Sequence, residues 1–278
     1  MFDKVKESIQ YIQSVTDFRP KYGIVLGTGL GDLSEQITDT TEIDYRNIPH
    51  FPVSTVESHK GKLIFGYLNG HPIVAMAGRF HYYEGYTARE LTFPIRVLKF
   101  LGIELLFISN VSGGVNPNYK AGDIIFVKDH IFLQPDNPLR GSNDERLGVR
   151  FPDMSNTYDK ALIKAGLSVA RENNIRAHEG VYICLQGPNL ETPAEYVFAH
   201  KIGGDVVGMS TIPEVIVAKH SNLPVFVLSI VSNQSYPPEM IKETTIEDVI
   251  QMAKEVEPKM TLIVKSMMKI LGKQKQKK

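Results

Sequence analysis

The sequence predicts an α/β fold, and three observations carry that expectation. Short apolar runs rich in β-branched residues recur along the chain, helical patterns lie between them, and the helix starts share a capping signal. The runs at 22–26, 62–68, 73–77, 105–109, 124–127, 181–185 and 225–230 read as strands, with a shorter one at 206–208. Helical patterns occupy 87–101, 158–173, 193–202, 213–221 and 246–270. At four helix starts a threonine is followed three residues later by a glutamate: Thr87 and Glu90, Thr192 and Glu195, Thr211 and Glu214, Thr244 and Glu247. In such a capping box the hydroxyl and the carboxylate each accept from a backbone N–H that the first turn leaves without a helical partner. Pro193 falls at a first helical position, where a missing N–H costs nothing.

No internal repeat, low-complexity linker or shift in composition divides the 278 residues, so a single domain over 1–278 is expected, with the Lys-rich end 272–278 as a disordered tail. A chain of this length with 42% hydrophobic residues is able to bury a substantial core. The longest irregular stretch, 132–154, is of a length usually kept for function or an interface. Lys+Arg and Asp+Glu both number 31, and this balance argues against a nucleic-acid partner. A single cysteine, Cys184, excludes a disulfide scaffold and a thiolate metal site. The amphipathic, charged N-terminus does not read as a signal peptide, and no run of about 20 apolar residues reads as a membrane span. A cytoplasmic enzyme or binding protein is the expectation.

In open α/β sheets ligands bind beyond the carboxyl ends of the strands. Six strand ends here carry glycine, hydroxyl, amide or charged groups. The turn Gly27-Thr28-Gly29 frees backbone N–H groups for an oxyanion and adds a hydroxyl. Its spacing fits neither a dinucleotide fingerprint nor a P-loop. Arg79 and His81 stand two apart on an extended segment and so point to one side, an arginine fork and an imidazole facing one anion. Ser210 precedes a helix, where a hydroxyl and the helix N-terminus favour an anion. Each signal is weak by itself; together Thr28, Arg79, His81 and Ser210 make a phosphate site. Glu191 and Asn233, a carboxylate and an amide, offer complementary hydrogen bonds to a planar heterocycle. The histidines show no metal-ligand spacing, so no metal is expected.

The segments 27–33 (GTGLGDL), 54–66 (STVESHKGKLIFG), 78–86 (GRFHYYEGY), 137–159 (NPLRGSNDERLGVRFPDMSNTYD), 187–195 (GPNLETPAE) and 207–217 (VGMSTIPEVIV) closely resemble the trimeric purine nucleoside phosphorylases, in the same order along the chain. The resemblance implies a mixed, twisted β-sheet surrounded by helices, a homotrimer, and a site at the subunit boundary. It implies phosphate contacts from Thr28, where the family more often shows serine, and from Arg79, His81, Ser210, His59 and the backbone beside Val111, where the family shows alanine. It implies ribose contacts from Tyr83, Met209 and His59, a purine-reading pair in Glu191 and Asn233, and Phe151 as an aromatic donated by the neighbouring subunit. Three departures stand out. Leu190 replaces a phenylalanine often placed against the base, Ser232 replaces a threonine, and Ile246 falls near a histidine that relatives often set on the ribose 5′-hydroxyl.

The implied reaction uses no cofactor, with inorganic phosphate as co-substrate. An oxocarbenium-like sugar would be stabilised and captured by phosphate, with Asn233, Glu191 and His81 as the groups carrying catalysis. The N1–H of a 6-oxopurine suits Glu191, whereas adenine N1 is an acceptor and would face the carboxylate repulsively. Inosine and guanosine are therefore the expected substrates. The nearest alternative is 5′-methylthioadenosine phosphorylase. Ile246 leans towards it; Glu191 and Asn233 lean against it, since that subgroup usually has serine and aspartate there. A hydrolytic nucleosidase would not need so many phosphate ligands. A non-catalytic purine-binding module would be expected to have lost Arg79, His81 or Asn233.

Overall fold

A computed structural model describes residues 1–27, 30–53 and 60–275. The elements run α1 (Phe2–Val15), β1 (Tyr22–Leu26), β2 (Thr38–Asp44), β3 (Lys62–Leu68), β4 (His71–Ala77), α2 (Ala88–Leu91), α3 (Phe93–Phe100), β5 (Leu105–Gly114), β6 (Ile124–Phe132), α4 (Lys160–Glu172), β7 (Ala177–Cys184), α5 (Pro193–Lys201), β8 (Val206–Gly208), α6 (Ile212–His220), β9 (Val225–Gln234) and α7 (Ile246–Lys275). Among the described residues the strands form one mixed sheet in the order β2-β3-β4-β1-β5-β8-β7-β6-β9, and β5 also pairs with β9. That second pairing closes β5, β8, β7, β6 and β9 on themselves, while β2, β3, β4 and β1 extend as an open wing.

The strands are long apolar stretches because helices cover them. Every residue of β1 is buried, between β4 and β5, both parallel to it. Glycines admit the covering helices: a Cβ at Gly166 of α4 would stand 2.3 Å from the Phe126 ring on β6. α7 lays Val256, Met260, Ile263, Val264, Met267 and Met268 into the same core.

Several boundaries differ from the sequence reading. The helix expected over 87–101 is broken at Thr92, where Pro94 lacks the N–H that would continue it and the Thr92 hydroxyl donates to Ala88 O at 2.7 Å. The boxes at Thr87 and Thr192 form as expected. The one at Thr244 does not: Thr245 and Asp248 cap α7 instead, with Asp248 N–H donating to Thr245 Oγ1 at 3.2 Å and Thr245 N–H to Asp248 Oδ2 at 3.0 Å. The one at Thr211 is replaced by the arrangement described below. α7 continues through Lys275, into the segment expected as a disordered tail, because lysine and glutamine are good helix formers; residues 276–278 lie outside the described residues. The sequence reading also lacks α1, which buries Val5, Ser8 and Ile12 at helical spacing, and the polar edge strand β2.

α4 offers a clean test of local capping. The Asp159 carboxylate accepts from the N–H groups of Ala161 (2.7 Å) and Leu162 (3.1 Å). Asp159→Ala is expected to lower unfolding free energy by about 1 kcal/mol in denaturant titration, with activity intact; a neutral effect on stability would contradict the cap.

Candidate functional site

The carboxyl ends of β4, β5, β8 and β9 converge with the start of α7 on one cleft of about 180 Å³. Arg79, His81 and Tyr83 line it from the segment after β4; Asn110, Val111, Ser112 and Gly113 from β5. Met209 and Ser210 enter from the end of β8, Ser232 and Asn233 from β9, and Leu190, Glu191 and Tyr196 from α5 and the loop before it. Eleven residues singled out in the sequence thus share one space: Arg79, His81, Tyr83, Val111, Leu190, Glu191, Met209, Ser210, Ser232, Asn233 and Ile246. Thr28 and His59 lie outside the described residues. Phe151 stands apart, 85% exposed, on a separate cavity of about 450 Å³ with His130, Phe132 and Ile216. A larger cavity, about 650 Å³ between α4 and the β6–β7 edge, is lined by Lys128, Lys160, Lys164 and Arg171 and contains none of these residues.

Arg79 is 2% exposed, and its guanidinium is held on two sides. Nη1 donates to Ser109 O on β5 at 2.6 Å, and Nε donates to Glu214 Oε1 on α6 at 3.2 Å while Nη2 donates to Glu214 Oε2. This bidentate pair is where the Thr211 box fails: Glu214, equally buried, neutralises an arginine instead of capping its own helix. Gly27 makes the approach possible, since a Cβ there would stand 2.9 Å from Arg79 Nη1 and 2.5 Å from Ser109 O.

Thr211 takes a second unexpected form. Its φ of 73° and ψ of −54°, with Ile212 N–H donating to Ser210 O at 2.8 Å, make a tight γ-turn that β-branched residues rarely adopt. Asn110 holds the turn: its Nδ2 donates to Thr211 Oγ1 at 2.9 Å, while its Oδ1 accepts from Ser229 Oγ at 2.5 Å. The turn sets Ser210 on the cleft wall, its hydroxyl 3.1 Å from that of Thr211.

His81 Nδ1 lies 3.0 Å from Glu84 Oε1, which also accepts from the His81 backbone N–H at 2.8 Å. Burial lowers the imidazole pKa, and the Glu84 hydrogen bond draws it partly back up. His81 stacks on Tyr83, ring centroids 4.7 Å apart.

Across the cleft, Asn233 is clamped at both ends of its amide: Ser232 Oγ donates to Oδ1 at 2.6 Å, and Nδ2 donates to Ser235 Oγ at 2.8 Å. The Tyr196 phenol lines the same cleft, its pKa pushed up to about 12 chiefly by burial and next by the charge of Glu191. Burial raises the Glu191 pKa. Gly187, at φ 67°, lets the loop carrying Glu191 close on Met209; a Cβ would meet the Met209 sulfur at 2.3 Å. The sequence places Asn110 at a strand end and Glu214 in a capping box, but gives no site role to them or to Tyr196 and Ser235. Tyr196 carried a signal, standing four residues after the Thr192 cap on the turn that follows Glu191; the others become visible only through pairing across the sheet.

Arg79, His81 and Ser210 therefore share one cleft with the carboxylate of Glu191 and the amide of Asn233. A family model described as the phosphorylase superfamily matches residues 21–269. Purine nucleoside phosphorylase 1 of Geobacillus stearothermophilus is 43% identical over 97% of this chain and 98% of its own. Isoform 2 of the Schistosoma mansoni purine nucleoside phosphorylase, solved with cytosine and ribose-1-phosphate, superposes with a TM-score of 0.91 at 40% identity, covering 96% of this chain and 95% of that one. A Schistosoma purine nucleoside phosphorylase solved with adenosine, and again with hypoxanthine, superposes at 0.90 with 42% identity over 96% of each chain. Cleft, fold and relatives agree: the chain belongs to the phosphorylase superfamily and, within it, to the purine nucleoside phosphorylases.

Proposed function

We propose that this cleft performs the reversible phosphorolysis of 6-oxopurine nucleosides, inosine and guanosine in ribo or deoxyribo form, yielding the free base and pentose 1-phosphate. The observation that carries the reading is the shared cleft, with Arg79, His81 and Ser210 in one space with Glu191 and Asn233. A phosphate oxygen bonds to C1′ as the C1′–N9 bond breaks, and the bond's electron pair leaves with the purine, which takes up a proton.

In this reading phosphate is co-substrate and no cofactor takes part. Arg79, His81, Ser210 and the backbone beside Val111 hold the phosphate, with Thr28 and His59 assigned to the same end. Tyr83 and Met209 seat the ribose, and Leu190 and Ser232 border the base. Asn233 donates from Nδ2 to N7 or O6 as negative charge develops on the purine; its clamped amide is preorganised for that charge, a contact strengthened in the transition state. Glu191 accepts from N1–H. The enzyme acts as a cytoplasmic homotrimer in purine salvage, with Phe151, whose ring is exposed in the single chain, reaching into a neighbour's site. Among the described residues no helix is long and apolar enough to cross a membrane.

Asn233→Ala is expected to lower kcat by about 10²–10³ with little change in KM, measured with inosine at saturating phosphate; an unchanged kcat would sink the role. Adenosine kcat/KM should fall at least about 10²-fold below inosine, because its N1 leaves the carboxylate unpaired. Comparable values for the two nucleosides contradict the assignment of Glu191. The reading also fixes a pH dependence. Glu191 must be ionised to accept N1–H, and burial raises its pKa, so the ionised form is lost at a higher pH than for an ordinary carboxyl group. The acid limb of kcat/KM for inosine should accordingly lie above the usual glutamate range and vanish in Glu191→Gln; an unmoved limb in that variant would assign it elsewhere.

A further inference from the structure

We propose that this enzyme also phosphorolyses 6-oxopurine nucleosides whose 5′-hydroxyl is replaced by hydrogen or a small thioether, because the wall left for the 5′ end of the sugar is apolar. The inference rests on the function proposed above. A nucleoside with its base between Glu191 and Asn233, and C1′ turned towards Arg79, His81 and Ser210, has one end still to place. Among the described residues, the remaining wall of the cleft includes Thr244, Ile246 and Val249. Ile246 and Val249 stand three apart on the first turn of α7 and so share a face of that helix. Thr244, the polar member, has its hydroxyl committed, donating to Lys242 O at 3.2 Å. The hydroxyl of Thr245 is likewise spent, donating to Asp248 Oδ2 at 2.8 Å within the α7 cap.

Ile246 is 64% exposed at the edge of the cleft, so its aliphatic side chain is open to contact with a ligand. A 5′-thioether would cover it; a 5′-hydroxyl would find on this wall only an acceptor, Thr244 Oγ1, whose own proton goes to Lys242 O. The chemistry is that of the parent reaction. Phosphate oxygen bonds to C1′, the C1′–N9 bond breaks, its electron pair and then a proton go to the purine, and the 5′ group passes unchanged into the 5-deoxy or 5-alkylthio sugar 1-phosphate.

A site built to hydrogen-bond a substrate hydroxyl rejects the analogue lacking it by about 10⁴–10⁵-fold, whereas an apolar wall discriminates by only about 10–200-fold per methylene. The test compares kcat/KM for inosine, 5′-deoxyinosine and 5′-methylthioinosine at saturating phosphate. The expected result is 5′-deoxyinosine within about tenfold of inosine and 5′-methylthioinosine equal to it or better. If inosine is turned over while both analogues fall about 10³-fold or more, the inference is overturned and the parent function stands. Failure of all three nucleosides overturns the parent reading as well. Ile246→Asn, which places an amide on the same wall, should lower the ratio of 5′-methylthioinosine to inosine by about tenfold or more; an unchanged ratio would show that Ile246 does not face the 5′ group.

Discussion

The buried pair of Arg79 and Glu214 is the interaction on which the site depends. Both side chains are 2% exposed, so each has lost its hydration. Such a loss is repaid only by close geometry and by satisfying the remaining donors, and removing one partner of a buried pair typically costs about 3–5 kcal/mol. Here the guanidinium is gripped by a carboxylate from α6 and a carbonyl from β5 while it issues from the end of β4. Three elements of separate origin are thereby registered on one point, at the line where the open wing of the sheet meets its closed half. The absence of a side chain at Gly27 is part of the same fit. An arginine balanced in this way remains a directional donor without leaving a naked charge in the core.

The end proposed to read the base follows the opposite strategy. Its carboxylate is made harder to ionise by burial, and its amide is fixed by two serine hydroxyls. A purine meeting this pair is selected by which hydrogen bonds it completes, since a buried donor or acceptor left unmade costs more than a made one contributes. The end proposed for the 5′ group of the sugar contrasts with both, since an aliphatic turn of α7 lines it.

Much of this was readable in the sequence, for physical reasons. Strand cores such as 22–26 and 62–68 are apolar enough to declare themselves, and Arg79, His81, Ser210 and Glu191 follow strand ends, with Asn233 one residue short of the end of β9, where the fold class puts ligands. What was hidden depended on long-range pairing. The spacing of Thr211 and Glu214 matches a capping box, yet a buried arginine from another strand competes for the glutamate and wins. Thr244 and Thr245 are adjacent threonines with acids at matching offsets, so spacing alone could not choose between them. β2 is a polar edge strand with one buried residue, and β5 and β9 run on through Gly113, Gly114 and Asn233, residues that strand propensity disfavours. The γ-turn at Thr211 has no signature in a β-branched residue at all.

The central claim is that one anion, held by Arg79 and its neighbours, is the group that attacks the sugar. The most direct measurement is hypoxanthine release from inosine by the purified protein, with and without inorganic phosphate, while the sugar product is identified. The account predicts that release tracks phosphate and that the sugar appears as ribose 1-phosphate. Equal release without phosphate, with free ribose as product, would mean that water attacks in this cleft and would contradict it.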